Sequence, residues 1–280
     1  MFKRKALTLI TGLALLAGLI SGCGGQQEKA AEQPAAKETV VLKVGATPVP
    51  HKEILEAAKP LLEKKGIKLE IVEFTDYILP NKALANGELD ANYFQHVPYL
   101  EDFSKENKLD LTYTVKVHFE PMGIYPGKVK DLAQLPEKAK IAVPNDPTNE
   151  ARALLLLEKA GLIKVKPGVG LKATKQDIIE NPKQLEIQEL DAAQIPRSLP
   201  DVDLAVINGN YAVEAGLNAG KDALVSEDKN SEAAQTFGNI IAVRKGDENK
   251  EAIKALGEVL LSPEIKKFIE EKYQGAVLPL

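Results

Sequence analysis

The sequence has no tryptophan and only one cysteine, Cys23, among its 280 residues. A single cysteine cannot form a disulfide within this sequence, and it excludes a structural zinc site built from several thiolates. An excess of either charge is also absent, since 36 basic and 40 acidic residues give a formal net charge of −4. Because nucleic-acid-binding domains are usually basic, we expect no nucleic-acid partner.

A continuous apolar run of about 18 residues, as a membrane-spanning helix requires, is absent as well. The N-terminus has a shorter one: Lys3, Arg4 and Lys5 precede fifteen uncharged residues at 6–20. This pattern is typical of a secretory signal peptide, and a short anchor helix is the alternative. The rest of the chain is expected to be a soluble body.

The signal peptide, over 1–22, is predicted to end at a lipid-attachment site. Residues 19–23, Leu-Ile-Ser-Gly-Cys, resemble a bacterial lipobox, although Ile20 stands where leucine is more usual. The resemblance implies lipidation of Cys23, and residues 23–38 then form a flexible tether rich in Gly, Gln and Ala. Because one acyl chain does not hold a protein stably, we expect two or more, palmitate among them. The expected location is the cell membrane, facing the extracytoplasmic side.

From Thr39 onward, segments with strand and helix periodicity alternate. This alternation predicts an α/β fold with a mostly parallel sheet and right-handed crossovers. Strands are predicted at 40–47, 67–71, 90–94, 140–143, 185–190, 203–207 and 239–244. Helices are predicted at 51–65, 98–108, 147–160, 248–260 and 263–273. Pro60 is expected to kink or break the first of these helices.

The alternating pattern restarts near residue 140, and two α/β units of roughly 100 residues each predict two lobes. The last strand and helices are predicted to return to the first unit, which gives two chain crossings. We assign 39–116 plus 236–280 to lobe 1 and 117–235 to lobe 2. A cleft between such lobes is a preferred place for a small ligand, and a hinge there can close on it.

Motifs for common catalytic and cofactor chemistry are missing, including HExxH, GxSxG and GxxxxGK[ST]. Residues 168–173 formally match GxGxxA, but they follow a predicted helix and Pro167 rather than a strand, so a surface turn is favoured. We therefore expect no cofactor and no enzymatic activity.

Three histidines, His51, His96 and His118, are a further group with metal-binding chemistry. Together with carboxylates they can bind a metal, as three-histidine sites do, but their spacing matches no local ligand motif. Surface or hydrogen-bonded histidines are the favoured interpretation, and no metal ligand is assigned.

Polar residues at predicted strand ends mark a candidate ligand site, because open α/β sheets bind ligands beyond the carboxyl ends of their strands. After the strand at 140–143, Asp146 suits a helix N-cap, and Asn149 and Arg152 follow in the first turns. The free N–H groups and the guanidinium favour an anion there. A surface arginine paired with a nearby acid is the alternative.

Two asparagines and a group of aromatic residues complete the candidate site. Asn208 follows the strand at 203–207, and Asn239 begins the strand at 239–244. The amide offers both donors and an acceptor, although an asparagine in a turn is common. The aromatic residues either wall an apolar ligand or belong to the core: Tyr77, Phe94, His96 and Tyr99. Together these residues suggest a zwitterion with an apolar side chain.

Several long stretches of the chain are similar to the methionine-binding lipoprotein family, the substrate-binding components of bacterial methionine ABC importers. They are FTDYILPN (74–81), LDANYFQHVPYL (89–100), EPMGIYPGK (120–128), VPNDPTNEARALLLLEKAGLI (143–163), ENPKQLEIQELDAAQIPRSL (180–199) and LAVINGNYA (204–212). They follow the family order and cover essentially the whole mature body. The resemblance implies a two-lobe, periplasmic-binding-protein-like α/β fold with a hinged ligand cleft.

The resemblance also implies residue roles. Arg152 holds the ligand carboxylate, while Asn208 and Asn239 hold the polar end of the ligand. The thioether is surrounded by Tyr77, Phe94, His96 and Tyr99. Weaker matches are Asn149 and Glu120, and Asn210 is less typical of the family.

The function that follows from the resemblance is capture of a small molecule outside the cytoplasm. The expected ligand is L-methionine or a closely related amino acid, and the expected partners are the permease and ATPase subunits of an ABC importer. A metal-binding lipoprotein of an ABC importer is the alternative.

Overall fold

The computed structural model describes residues 39–228, 230 and 232–280; the predicted signal peptide, Cys23 and the tether lie outside these residues. The strands are β1 (Val40–Ala46), β2 (Ile67–Glu73), β3 (Ala91–His96), β4 (Leu111–Phe119), β5 (Gly123–Pro126), β6 (Lys140–Pro144), β7 (Lys164–Val165), β8 (Ile178–Glu180), β9 (Glu186–Leu190), β10 (Leu204–Ile207), β11 (Val225–Ser226), β12 (Asn239–Arg244) and β13 (Leu278–Pro279). The helices are α1 (Glu53–Glu63), α2 (Leu79–Ala85), α3 (Val97–Asn107), α4 (Pro147–Lys159), α5 (Ile195–Ser198), α6 (Gly209–Glu214), α7 (Glu232–Thr236), α8 (Glu251–Leu260) and α9 (Pro263–Tyr273). Short 3₁₀ turns cover Leu132–Gln134, Gly170–Lys172 and Lys175–Asp177, and Pro48–Lys52 forms an irregular helical turn in which Val49 is extended. None of the helices in the described ranges is long and apolar enough to cross a membrane.

The strands form two main sheets, and each sheet has its own apolar core. The first sheet has the strand order β13-β4-β12-β3-β1-β2, the second has the order β11-β5-β10-β6-β9, and β7 pairs separately with β8. The core beside the first sheet includes Leu42, Val44, Leu55, Ile241 and Leu256. The core beside the second includes Ile141, Val143, Leu154, Leu157 and Val206. The chain therefore folds into two α/β lobes, as the sequence predicts.

The chain passes between the sheets twice. The first crossing joins Phe119 at the end of β4 to Gly123 at the start of β5, and the second joins Ser226 to Asn239. β4 stays in the first sheet as far as Phe119, which lies beyond the predicted end of lobe 1 at residue 116. The predicted residue limits of the lobes remain a proposal.

Neither sheet is mostly parallel, which corrects the prediction. β1 pairs in parallel with β2 and β3, and β6 pairs in parallel with β9 and β10. β12 is antiparallel to β3 and β4, and β5 is antiparallel to β10 and β11. Helical crossovers within one lobe give parallel neighbours. β5 and β12 instead enter their sheets from the other lobe, so the crossover rule does not fix their direction.

Helix α1 continues through Pro60, so a break at this residue, one of the two predicted outcomes, is wrong. Pro60 is exposed, whereas Ile54, Leu55, Ala58 and Leu62 of the same helix are buried. Packing of that apolar face outweighs the hydrogen bond that proline cannot donate.

The helix predicted at 147–160 is confirmed as α4, which carries two candidate ligand-binding residues to the edge of the second sheet. The side chain of Asp146 accepts a hydrogen bond from the backbone N–H of Asn149 at 3.0 Å, and Pro147 occupies the first turn. This N-cap fixes where the helix begins.

Candidate functional site

A cavity between the two lobes brings the predicted ligand-binding residues together. The empty space between its walls is about 310 Å³, part of it open to solvent. Its walls are Tyr77, Phe94, Gln95, His96, Tyr99, Glu120, Asn149, Arg152, Asn208, Gly209, Asn210 and Asn239. Every residue predicted to bind ligand is among them, and their roles toward a ligand stay a prediction.

Sheet register explains how distant parts of the sequence meet at this cavity. β3 ends at His96, and Asn239 at the start of β12 lies opposite it. On its other side, Asn239 lies opposite His118 near the end of β4. Since an antiparallel strand begins where its neighbours end, the first residue of β12 lies at the carboxyl edge of the sheet.

Arg152 is buried, and protein groups already engage one edge of its guanidinium. Nε donates to Oε1 of Glu227 at 2.8 Å, and Nη2 donates to Oε2 of Glu227 at 2.5 Å. Nη2 also donates to the backbone oxygen of Glu120 at 2.9 Å, and the ring centre of Phe237 lies 4.1 Å from the guanidinium carbon. The sequence left two alternatives for Arg152: pairing with a nearby acid, or a place at a ligand site. In the structure Arg152 is paired with an acid and also lies at the cavity.

Asn149 holds its neighbours in place and has no free polar group. Its Nδ2 donates to both carboxylate oxygens of Asp146 at 2.9 Å. Its Oδ1 accepts from Nδ2 of Asn208 at 2.9 Å and lies 3.1 Å from Nε2 of His96. The side-chain NH₂ group of Asn149 is therefore engaged by Asp146, and both lone pairs of its Oδ1 are engaged by Asn208 and His96. The geometry shows that Asn149 positions Asp146, Asn208 and His96, and its predicted contact with a ligand stays a prediction.

Asn208 and Asn210 each keep one buried polar atom without a hydrogen-bond partner among the described residues. In Asn208 the free atom is the acceptor Oδ1, because Nδ2 is used by Asn149. In Asn210 it is the donor Nδ2, because Oδ1 accepts from the hydroxyl of Tyr77 at 2.5 Å. An unpaired buried polar atom costs about 1–3 kcal/mol. A ligand that carries both a donor and an acceptor can satisfy the two atoms.

Aromatic rings surround the other side of the cavity. Tyr77 is at the centre of this group, with ring centroids 5.8 Å from Phe94, 5.7 Å from Tyr99 and 4.9 Å from Tyr211. The hydroxyl of Tyr99 donates to the backbone oxygen of Tyr77 at 2.9 Å, which fixes the two rings relative to each other. These rings provide an apolar wall for a ligand side chain.

His96 is a helix cap as well as part of the wall. Its Nδ1 accepts from the backbone N–H of Tyr99 at 3.2 Å, so the ring proton is on Nε2, which donates to Asn149. Burial, together with the charge of Arg152, lowers the pKa of His96 to about 3. The ring is therefore neutral at pH 7 and acts as a fixed hydrogen-bond donor.

Glu120 forms part of the cavity wall, and its carboxylate contacts two buried histidines. Nε2 of His118 lies 2.6 Å from Oε1 of Glu120, and Nε2 of His51 lies 3.3 Å from the same oxygen. Nδ1 of His51 faces the hydroxyl of Thr47 at 2.7 Å, and Nδ1 of His118 faces the hydroxyl of Tyr93. Since a hydroxyl can donate to each Nδ1, we assign the ring protons to Nε2.

Burial decides the charge state of this group. It lowers the pKa of His51 to about 4 and that of His118 to about 3, and it raises the pKa of the Glu120 carboxyl. Both rings are neutral at pH 7, so neither forms an ion pair with Glu120. Nε2 of His118 donates a hydrogen bond to Oε1 of Glu120, whereas Nε2 of His51 donates to Oδ1 of Asn239 at 3.1 Å.

The same three side chains are the metal-ligand candidates. Ligand atoms of His51, His118 and Glu120 lie within 4.8 Å of one another, and no other such group occurs in the part of the chain that the structure describes. His96 is not part of it, so the three histidines do not form one site. Coordination by His51 and His118 through Nε2 requires both ring protons to move to Nδ1.

Gly209 permits the close approach of the two lobes at this point. A β-carbon on Gly209 would lie 2.5 Å from the β-carbon of Glu120. A larger residue there would push the first crossing away from the start of α6.

The sequence reasoning missed several residues around the cavity, and the missing information is tertiary. Sequence motifs that point to neighbouring residues contain four of them: Gln95, Gly209, Asn210 and Tyr211. Asn210 follows Asn208 by two residues at a strand end, which is a signal that could have identified it. Glu227 lies in no motif, and only the fold places it beside Arg152.

Comparison with known proteins gives consistent matches. The NlpA lipoprotein family matches residues 42–280. A Bacillus subtilis (strain 168) protein called methionine-binding lipoprotein MetQ is 44% identical over 99% of this chain and 99% of its own. A Salmonella typhimurium (strain LT2) protein called D-methionine-binding lipoprotein MetQ is 41% identical over 99% and 98% of the two chains. The crystal structure of a nutrient binding protein from Burkholderia cenocepacia bound to methionine is 45% identical, with a TM-score of 0.81, over 85% of this chain and 99% of that one.

Proposed function

The chain belongs to the NlpA lipoprotein family, and from this membership we propose that it captures methionine outside the cytoplasm and delivers it to an ABC import permease. L-methionine is the first ligand proposed, with closely related amino acids as the wider class. The relatives named for methionine binding and the methionine-bound structural neighbour support this proposal.

The observation that carries the proposal is the pair of free polar atoms of opposite kind in one buried cavity. Oδ1 of Asn208 can accept a hydrogen bond from an ammonium group, and Nδ2 of Asn210 can donate to a carboxylate. A ligand that carries both a donor and an acceptor satisfies both atoms, and a free amino acid is such a ligand. A bare metal ion satisfies the acceptor alone.

Arg152 supports the same ligand class. In the described residues its Nη1 donates no hydrogen bond, while Nε and Nη2 are engaged by Glu227 and Glu120. The free Nη1 donors suit a ligand carboxylate. On the opposite side of the cavity, Tyr77, Phe94 and Tyr99 suit an unbranched apolar side chain.

The proposal is for binding and not for turnover. The titratable groups of the cavity, including His96 and Glu120, are held in hydrogen bonds to other protein groups. Their roles are therefore to fix the shape and polarity of the cavity.

Attachment and delivery complete the proposal. We infer that lipid on Cys23 anchors the protein to the membrane and that residues 24–38 act as a tether. The permease and ATPase subunits of an ABC importer are the proposed partners. From the signal-peptide pattern at 1–22 we infer that the binding lobes lie on the extracytoplasmic side.

Calorimetry on ligand-stripped protein tests the proposal directly. We expect saturable, one-to-one binding of L-methionine, with glutamate and divalent metal ions giving no binding at the same concentrations. The matched control is Asn208→Ala with Asn210→Ala, which removes both free atoms and should weaken methionine binding strongly. If a divalent metal binds to the wild-type protein and methionine does not, the metal-binding alternative is favoured.

A further inference from the structure

Glu227 has a buried carboxylate that contacts Arg152 along one edge of the guanidinium. Its side chain is 8% exposed, and that of Arg152 is 4% exposed. Oε1 accepts from Nε of Arg152, while Oε2 accepts from Nη2 of Arg152 and from the backbone N–H of Met122 at 2.9 Å. Both carboxylate oxygens are therefore fixed, and the pair is bidentate.

These contacts connect Arg152 to both chain crossings. Met122 and Glu120 belong to the first crossing, and Glu227 directly follows β11 at the start of the second. Arg152 itself lies on α4 of the second lobe and donates to Glu120 as well as to Glu227. The orientation of its guanidinium is thus set at the place where the two lobes are joined.

We propose that Glu227 is the positioning residue of Arg152. By occupying Nε and one hydrogen of Nη2, Glu227 leaves Nη1 as the group that meets the ligand carboxylate. This inference deepens the proposed function and rests on it in so far as the ligand is an amino acid.

The same ion pair sets the charge of the cavity. A buried guanidinium without a partner is costly, and Glu227 supplies the compensating charge whether or not a ligand is bound. Because Glu227 already cancels the charge of Arg152, ligand affinity then depends on the orientation of Nη1 toward the ligand carboxylate. A side chain whose orientation is fixed before binding loses less conformational entropy when the ligand arrives.

A double-mutant cycle measured by calorimetry with methionine tests the proposal. Glu227→Ala should weaken binding about tenfold or more in the wild-type background, the loss that follows when a fixed side chain becomes mobile. In the Arg152→Ala background the same change should have almost no further effect. Equal losses in both backgrounds would overturn the proposal, because Glu227 would then act independently of Arg152.

A comparison of methionine with methioninamide separates positioning from a structural role. Both Glu227→Ala and Arg152→Ala should reduce the preference for the carboxylate ligand over the amide. A preference that rises in Glu227→Ala, as expected when the only effect is to leave the charge of Arg152 uncompensated, would overturn the positioning role. A merely structural defect would weaken both ligands equally. The matched control is Glu180→Ala, which removes an exposed acid paired with Lys164 at 2.7 Å in the same lobe and should leave the preference unchanged.

A ligand-independent measurement keeps this proposal distinguishable from the proposed function. The Nε–H proton of Arg152 should exchange slowly with solvent in the ligand-free wild-type protein and rapidly in Glu227→Ala, which removes both acceptor oxygens. If the wild type does not bind methionine, the proposed ligand is wrong, and loss of Nε–H protection still supports positioning by Glu227. Unchanged protection in Glu227→Ala would overturn the positioning role even if methionine binds.

Discussion

The hydroxyl of Tyr77 donates a hydrogen bond to Oδ1 of Asn210 at 2.5 Å, and this bond joins one lobe to the other across the cavity. Tyr77 precedes α2 beside the first sheet, whereas Asn210 lies in α6 beside the second. The bond also leaves Nδ2 of Asn210 as the free donor. One contact therefore both holds the lobes together and sets the polarity offered to a ligand.

Tyr77→Phe should weaken methionine binding by about 1–2 kcal/mol, because it removes this hydroxyl while keeping the ring. Oδ1 of Asn210 then loses its partner, and the amide is free to turn. The control is Tyr99→Phe, whose hydroxyl bonds to the backbone of Tyr77 within the same lobe. Calorimetry should show a clearly smaller loss for the control, and equal losses would contradict the role of the Tyr77–Asn210 bond.

The contacts of Tyr77 and Arg152 also show what the sequence can and cannot predict. Local signals were reliable: Ser262 caps α9 and Pro263 follows it, and the predicted helix at 263–273 is confirmed with the same limits. The strand at 239–244 is likewise confirmed as β12. Helix caps and apolar periodicity depend only on residues that are close in the sequence, so they can be predicted from a single sequence.

Longer-range features were not predictable in the same way. α2, β4 and β5 were not predicted as elements, and β4 is only partly buried along its length. Glu227 and Arg152 are 75 residues apart in the sequence, and Tyr77 and Asn210 are 133 apart. The sequence could indicate that Arg152 needs an anionic partner, but only the packing of the lobes decides which acid supplies it.

Acid should destabilise the protein through its buried histidines. The folded pKa of His51 is about 4, below the unfolded value of 6.5, so the unfolded state binds a proton that the folded state rejects. The stabilising contribution is complete above pH 6.5 and is lost as the pH falls toward 4, by about 1.4 kcal/mol per pH unit. His96 and His118, each with a pKa of about 3, act in the same direction.

The measurement is urea unfolding of the wild type and His51→Gln between pH 5 and pH 8. The stability difference between them should be constant above pH 7 and should shrink on acidification. Glu150→Gln is the control, and its pH dependence should have the opposite sign. Burial raises the pKa of Glu150 to about 7, so on acidification the folded state binds this proton before the unfolded state does. A difference between wild type and His51→Gln that is independent of pH would show that the His51 ring is charged or exposed.

Cys23→Ala should move the protein from the membrane fraction to the soluble fraction. The prediction follows from the lipobox-like segment at 19–23, and Cys23 is the only cysteine in the sequence. Stable attachment requires two or more acyl chains, all of which depend on this residue. Mass spectrometry of the processed N-terminus is the measurement, with Ser21→Ala as the control that keeps the cysteine. Lipid found on the Cys23→Ala protein would contradict the assignment.

Ligand selectivity should follow the two sides of the cavity. In the proposed function the polar side of the cavity, with Asn208, Asn210 and Arg152, binds the amino and carboxylate groups that all amino acids share, so it should not distinguish among side chains. The aromatic side must do so, and contacts between rings and a thioether sulfur add roughly 0.3–1.5 kcal/mol. Norleucine, which has the same shape without the sulfur, should therefore bind more weakly than methionine by about this amount.

Methionine sulfoxide and glutamate test the aromatic side more severely, because each carries a polar group into it. The S–O group of the sulfoxide would be buried without an assured partner, at a cost of about 1–3 kcal/mol, and the carboxylate of glutamate would cost far more. The expected order is methionine, norleucine, methionine sulfoxide and then glutamate, measured by competition on stripped protein. Phe94→Ala should reduce affinity for methionine and narrow its advantage over norleucine. Phe268→Ala, which removes a ring on α9 away from the cavity, should change neither. Tight binding of glutamate would mean that a cationic group reaches the side-chain end of the cavity, and the aromatic wall would then have no role in selectivity.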